Sequence, residues 1–180
     1  MRQVSVKTFV AIGIGAALFF VLGRFLIIPV FANTNISLQY AVLGFFAVLF
    51  GPLAGVLIGL IGHALIDFTT YGAWWSWIIA SGVVGLMIGF AAKKINIESG
   101  EFGTKQIITF NIAQLIANAV AWVIVAPILD ILIYSEPVSK VFAQGAIAGI
   151  SNAITTGIVG TILLVAYSKT RVKSGSLDKE

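Results

Sequence analysis

Apolar residues come in long blocks broken by short polar punctuation, and about 20 consecutive apolar residues are what a helix needs to cross a bilayer. The pattern predicts six helical segments, at about 8–27, 38–50, 53–70, 74–92, 106–129 and 141–167, followed by a polar tail over 168–180. The second and third form one block from Leu38 to Phe68, too long for a single straight span. Gly51-Pro52 divides it, because proline removes a backbone donor, and the second helix is therefore short. The first block, Phe9 to Ile28, follows Arg2 and Lys7 and precedes VFA, as a signal peptide would. Its apolar core exceeds the roughly 7–15 residues of a signal-peptide core, and more spans follow, so a retained first helix is expected.

Composition fixes the class. Of 180 residues, 59% are hydrophobic and 10% charged, with a mean hydropathy of +1.04. A soluble domain carries about 25% charged residues, so the chain reads as a single all-α transmembrane domain with little mass outside the bilayer. The absence of cysteine excludes a disulfide framework, a zinc thiolate site and thiol catalysis.

Charge gives the orientation. With the amino terminus in the cytoplasm, nine of the eleven basic residues fall inside: Arg2, Lys7, Lys93, Lys94, Lys105, Lys169, Arg171, Lys173 and Lys179. Only Arg24 and Lys140 lie near the outer face, and six crossings return the carboxyl terminus to the cytoplasm. The inner loop KKINIESGEFGTK and the tail SKTRVKSGSLDKE are too short to be a nucleotide-binding domain. ATP-driven transport by this chain would need its motor from separate subunits.

Several constellations bear on function. In the fifth segment, NIAQLIANAVAW places Asn111, Gln114, Asn118 and Trp122 on one helical face. Amides in hydrocarbon are costly unless they meet partners or a cavity. They serve either hydrogen bonding between helices, worth about 0.6 kcal/mol per contact, or a ligand pocket, for which Trp122 adds a flat stacking surface. The sixth segment offers Gln144, Ser151 and Asn152 as a second amide-bearing surface. Trp74, Trp75 and Trp77 open the fourth segment behind Tyr71, as an interfacial aromatic belt would. Adjacent helical residues point about 100° apart, so one of Trp74 and Trp75 faces inward.

His63 and Asp67 are four apart, in line with Gly51, Gly55 and Gly59, whose spacing suits close helix packing. The pair reads as structural, or as a ligand contact or gate latch. No second soft ligand stands at usable spacing and no nucleophile has a recognisable base and orienter, so neither a metal site nor a catalytic site is expected. AIGIGAAL pairs Ala11 with Gly15 and Gly13 with Ala17, letting a second helix approach, either from another subunit or from within the bundle.

IGIGAALFFVLGR in the first helix, NTNISLQYAVLGFFAVLFGPLAGVLIGLIGHALIDF through the second and third, and YGAWWSWIIASG opening the fourth resemble a known family. They are similar to the substrate-binding S components of energy-coupling factor (ECF) vitamin transporters, and within these to the UPF0397 group, itself similar to S components assigned to hydroxymethylpyrimidine or pyridoxine. The resemblance spans nearly the whole chain and is specific to the group rather than to one ligand. It implies a six-helix bundle in a prokaryotic plasma membrane, without catalysis or cofactor of its own. A vitamin would be bound between the loop after the first helix and the outer parts of the fourth to sixth. Partners implied are a transmembrane coupling subunit, docked through a small-residue motif on the first helix, and two ATPases; the subunit is expected to topple in the membrane to release its ligand.

Carried over residue by residue, the resemblance assigns substrate binding to Asn33, Asn35, Gln39, Trp74, Trp75, Asn118, Trp122, Gln144 and Asn152, and His63 joins this set on its own reading as a ligand contact. The docking motif falls on Gly13 and Ala17, within the small-residue set that also holds Ala11 and Gly15. Having only Arg24 and Lys140 outside argues against a dianionic ligand such as folate and for a neutral aromatic one: hydroxymethylpyrimidine, pyridoxine and, after them, riboflavin. Cationic thiamine would call for an aromatic cage or a carboxylate such as Asp67, Asp130 or Glu136. Two readings from other classes are a small intramembrane enzyme and a self-sufficient channel or secondary transporter.

Overall fold

Each apolar block closes into a helix, the form in which a chain surrounded by hydrocarbon satisfies its own backbone hydrogen bonds. The computed structural model describes residues 5–31, 34–100 and 102–171. Its helices are α1 (Val6–Phe25), α2 (Gln39–Phe50), α3 (Pro52–Phe68), α4 (Trp75–Ile95), α5 (Thr104–Tyr134) and α6 (Val138–Lys169). Of these, α1, α4, α5 and α6 are long and apolar enough to cross a membrane, whereas α2 and α3 are apolar helices of 12 and 17 residues. Gly51 separates the short pair at φ +83°, a conformation open to glycine, and Pro52 begins α3 at a position where its missing N–H costs nothing.

The segment after α1, read as a loop, is an antiparallel hairpin of β1 (Ile27–Phe31) and β2 (Thr34–Ser37), pairing Ile27 with Ser37 and Ile28 with Ile36. Its β-branched residues favour extended backbone, and Pro29 sits on a strand with a free edge, where no ladder donor is required. Strand β2 packs on α6 and buries Thr34 and Ser37, while β1 is exposed along its whole length.

Both α5 and α6 outrun their expected ends. The fifth segment, expected to stop at 129, continues to Tyr134, because Asp130 is buried and fully supplied with donors rather than marking a solvated end. The sixth begins at Val138 and takes in Ser168 and Lys169, assigned above to the tail; Ser168 is buried and donates to the Val165 carbonyl at 2.9 Å. Beyond it Arg171 reaches Glu98 at 3.6 Å, and residues 172–180 lie outside the described part of the chain. Both α5 and α6 contain a widened π turn, Val120–Val125 in the first and Thr156–Gly160 in the second. The first has a local cause: Pro127 has no N–H for the Val123 carbonyl and its ring crowds that turn.

Small residues set the packing. On α3, an added Cβ at Gly55 would overlap the Gly85 carbonyl of α4, and one at Gly59 the Ser81 carbonyl, so these two helices touch backbone to backbone. Around that crossing Phe19, Leu43, Ile58, Val84, Ile88 and Phe110 are completely buried. The outward faces carry exposed Val10, Ile14, Ile112, Leu115, Ile154 and Ile158, an apolar surface that suits lipid.

Candidate functional site

At the hairpin end the helices part around two adjoining chambers that share Tyr71 and Trp77 as their neck. The deeper, about 60 Å³, lies between β2, α2, α3, α5 and α6; Gln39, His63, Trp122 and Asn152 are among its walls. Trp122 is completely buried, on the π turn that Pro127 imposes. Gly145 makes room for it, since a Cβ there would overlap the Trp122 carbonyl oxygen. Trp77 lies 5.1 Å away, ring centre to ring centre, and Tyr40 meets Trp122 edge-on at 5.4 Å. Three aromatic rings therefore converge where amide side chains from α2 and α6 also meet.

A polar cluster lies against this chamber. The Tyr40 hydroxyl is 2.8 Å from Ser81 Oγ, which is 2.5 Å from His63 Nδ1, and the opposite ring nitrogen of His63 lies 3.5 Å from Asp67 Oδ1. The other oxygen of Asp67 accepts the backbone N–H of Trp74 at 2.9 Å and so ties the end of α3 to the start of α4. Asp67 Oδ1, Asn118 Oδ1, Trp122 Nε1 and Thr156 Oγ1 are buried with no hydrogen-bond partner among the described residues. Buried polar atoms are nearly always paired; of these four residues Trp122 lines the chamber, so its indole N–H is the one positioned to meet a bound molecule.

The outer chamber, about 280 Å³, is a mouth between the start of α4, the end of α5 and the start of α6. Asp130, only 2% exposed, organises it. One of its oxygens accepts Trp74 Nε1 at 2.6 Å and the Ser76 hydroxyl; the other accepts Trp77 Nε1 at 3.0 Å. Trp74 also stacks on Tyr134, centroids 4.0 Å apart and planes 21° from parallel. Glu136 and Lys140 form an ion pair at 2.7 Å on the rim, and Gln144 completes the wall.

The structure gathers most of the expected binding residues here. Asn35, Gln39, His63, Trp122 and Asn152 line the deep chamber; Trp74 and Gln144 line the mouth. Asn118 is buried one turn before Trp122 and lines neither: its amide N–H donates back to the Gln114 carbonyl at 2.9 Å and to Gln114 Oε1 at 3.1 Å. In the same row Asn111 donates to Thr161 on α6 at 3.0 Å, so the inner part of the amide stripe joins helices and only its Trp122 end reaches a cavity. Asn33 lies outside the described residues.

Two expectations need correction. Trp75 is 51% exposed and packs edge-on against Phe68, away from both chambers, because α4 turns it about 100° from Trp74. Trp77 takes its place; three residues after Trp74, it shares that helical face, a spacing visible in the sequence. Of the four small residues on α1, Ala11 and Gly15 are buried, Gly15 so tightly that a Cβ would stand 3.0 Å from Ile58 Cγ1. Only Gly13 and Ala17 face outward, and Gly13 has open space beside it. Among the residues missed as wall formers are Tyr71, Tyr40 and Gly23; the first stood next to the tryptophan cluster, whereas nothing local distinguishes the other two.

The geometry has a counterpart among known proteins. A family model described as "ECF-type riboflavin transporter, S component" matches residues 3–169. A UPF0397 protein of Lacticaseibacillus casei (strain BL23) is 55% identical over 99% of this chain and 97% of its own length. A UPF0397 protein of Staphylococcus aureus (strain MSSA476) is also 55% identical, over 99% of this chain and 98% of its own.

Proposed function

We infer the function from this premise: the chain belongs to the family of ECF-type transporter S components, and it is therefore a membrane-embedded transporter subunit rather than an enzyme. In our reading it captures a small neutral aromatic vitamin or vitamin precursor, hydroxymethylpyrimidine or pyridoxine first, and hands it to a transmembrane coupling subunit driven by two ATPases. The chain crosses the plasma membrane of its prokaryotic host six times with both termini in the cytoplasm, so that the hairpin end and its chambers face outward.

One observation carries the choice of ligand class. A cavity walled by Trp74, Trp77 and Trp122 and edged by the amides of Gln39, Gln144 and Asn152 offers flat faces for a ring and hydrogen-bonding edges for its substituents, without an unpaired cation for an acid. The mouth, about 280 Å³, falls just below the roughly 300–1,000 Å³ of pockets for drug-sized ligands, which favours a one-ring compound. Riboflavin is the second reading, favoured by the description of the matching family. Thiamine ranks below both, since each oxygen of Asp130 already accepts from an indole.

Titration of the purified chain in detergent, followed by tryptophan fluorescence against hydroxymethylpyrimidine, pyridoxine, thiamine and riboflavin, decides among them. Saturable submicromolar quenching by one of the first two, lost in Trp122→Ala, supports the reading. Saturation by riboflavin alone replaces it with the second, and a purified chain that transports a vitamin into liposomes without partner subunits overturns the ECF assignment of mechanism.

A further inference from the structure

Trp74 and Trp77 wall the mouth, and both spend their only polar group on the same carboxylate. Trp74 Nε1 donates to Asp130 Oδ1 at 2.6 Å and Trp77 Nε1 to Asp130 Oδ2 at 3.0 Å, while the Ser76 hydroxyl also donates to Oδ1. Asp130 is 2% exposed and belongs to α5, so one side chain clamps the opening turn of α4 to another helix. Tyr134, one turn further along α5, holds Trp74 by its ring and accepts the backbone N–H of Trp75 at 2.8 Å. A carboxylate accepts at two oxygens with several lone pairs, and hydrogen bonds to an ionised acceptor are roughly twice as strong as neutral ones.

We propose that Asp130 is a positioning residue that makes the mouth of the site selective for flat rings by fixing the indoles of Trp74 and Trp77. It acts through them rather than by touching the ligand, and this rests on the vitamin-binding reading above. With both indole N–H groups turned to Asp130, the two tryptophan walls present ring faces and no indole donor. A ligand is then recognised between these indoles by stacking, and by hydrogen bonds elsewhere, at Gln144 on the mouth wall and further in at Gln39, Asn152 and the Trp122 indole N–H. The arrangement also explains why the carboxylate, though beside the cavity, is not free to pair with a cation.

The substitution Asp130→Asn tests this while keeping volume, because an amide offers one oxygen where three donors wait. That oxygen settles where it serves Trp74 and Ser76, and the amide nitrogen then faces Trp77 Nε1, donor against donor. In ligand-free protein labelled with ¹⁵N at the indoles, the Trp77 N–H resonance should move and exchange with solvent quickly, while that of outward-facing Trp75 stays. Affinity for whichever of pyridoxine, hydroxymethylpyrimidine or riboflavin saturates the unaltered chain should fall at least about tenfold, yet change by less than about twofold when the same substitution is made in a Trp77→Phe background.

An unmoved Trp77 resonance, or an equal loss of affinity in both backgrounds, overturns the proposal. Should Asp130→Asn fail to fold, hydrogen exchange in the unaltered chain still decides: slow exchange at the Trp74 and Trp77 indoles against fast exchange at Trp75 supports it, and fast exchange at Trp77 overturns it. If no vitamin in the panel binds, the functional reading fails while the ligand-free resonances still judge the role of Asp130.

Discussion

A single methyl group at position 23 tests whether the deep chamber is a binding site. Gly23 on α1 is buried under Gln39: an added Cβ would overlap the Gln39 amide oxygen, crowd Ile66 Cδ1 and stand 2.7 Å from Gln39 Cδ. Ile66 is 9% exposed and packed, so the flexible Gln39 side chain must swing out of the chamber. Overpacking costs typically about 1–3 kcal/mol, and the freedom of Gln39 puts Gly23→Ala at the low end of that range. Affinity should fall by the worth of one neutral hydrogen bond, about 0.5–1.5 kcal/mol, or roughly two- to twelve-fold in Kd. Isothermal titration of Gly23→Ala, Gln39→Ala and the double variant, with thermal unfolding of each, reads both terms. The two single variants should weaken binding alike and the double variant no more than either, with part of the unfolding penalty relieved once the amide is gone. A folded Gly23→Ala protein with unchanged Kd, or a double variant whose loss is the sum of the singles, would refute the placement of Gln39 at the ligand.

Other predictions follow from the same geometry. Gly13→Leu and Ala17→Leu, on the outward face of α1, should abolish vitamin uptake with partner subunits while leaving affinity intact, whereas Gly15→Leu should lower the unfolding temperature by driving into Ile58 and Phe46; matched loss of binding in all three would remove the distinction. Trp122→Phe removes the buried, unpartnered indole N–H of a residue that lines the deep chamber, and should weaken binding by about 0.5–1.5 kcal/mol, roughly two- to twelve-fold, with assembly retained on co-purification. Gly55→Val must separate α3 from the Gly85 carbonyl and should destabilise the chain by about 1–3 kcal/mol; an unchanged unfolding temperature would count against the backbone contact. Because Asp130 and Glu136 flank the mouth and Lys140 is paired to Glu136, a phosphate ester of the bound vitamin should bind at least about tenfold more weakly than the free alcohol, and equal affinity would contradict the charge argument.

Much of this molecule was written in one dimension. Long apolar blocks can satisfy their backbone only as helices, so the all-helical membrane class and the break at Gly51-Pro52 followed from hydrophobic pattern and proline chemistry. The small-residue spacing along α3 announced a close crossing because a missing side chain is itself the signal. The resemblance to ECF S components was likewise legible in contiguous motifs, and the family match bears it out. The functional stripe was legible only in part. Regular helical spacing puts Asn111, Gln114, Asn118 and Trp122 on one face, yet the π turn before Pro127 shifts the register, and the inner amides close on one another and on Thr161.

What the tertiary structure decided depends on contacts between residues far apart in the chain. Which of two adjacent tryptophans enters the cavity, and which pair of small residues on α1 stays free, depends on how each helix is rotated against its neighbours, and periodicity leaves that rotation open. The hairpin after α1 arises because β2 finds a surface on α6 to cover. Asp130 looked like the end of a helix or a counter-ion for a cation. It became the anchor of two indoles only when the start of α4, more than fifty residues earlier, folded onto the end of α5. A carboxylate's role is set by the donors that reach it, and those donors are brought together by the fold.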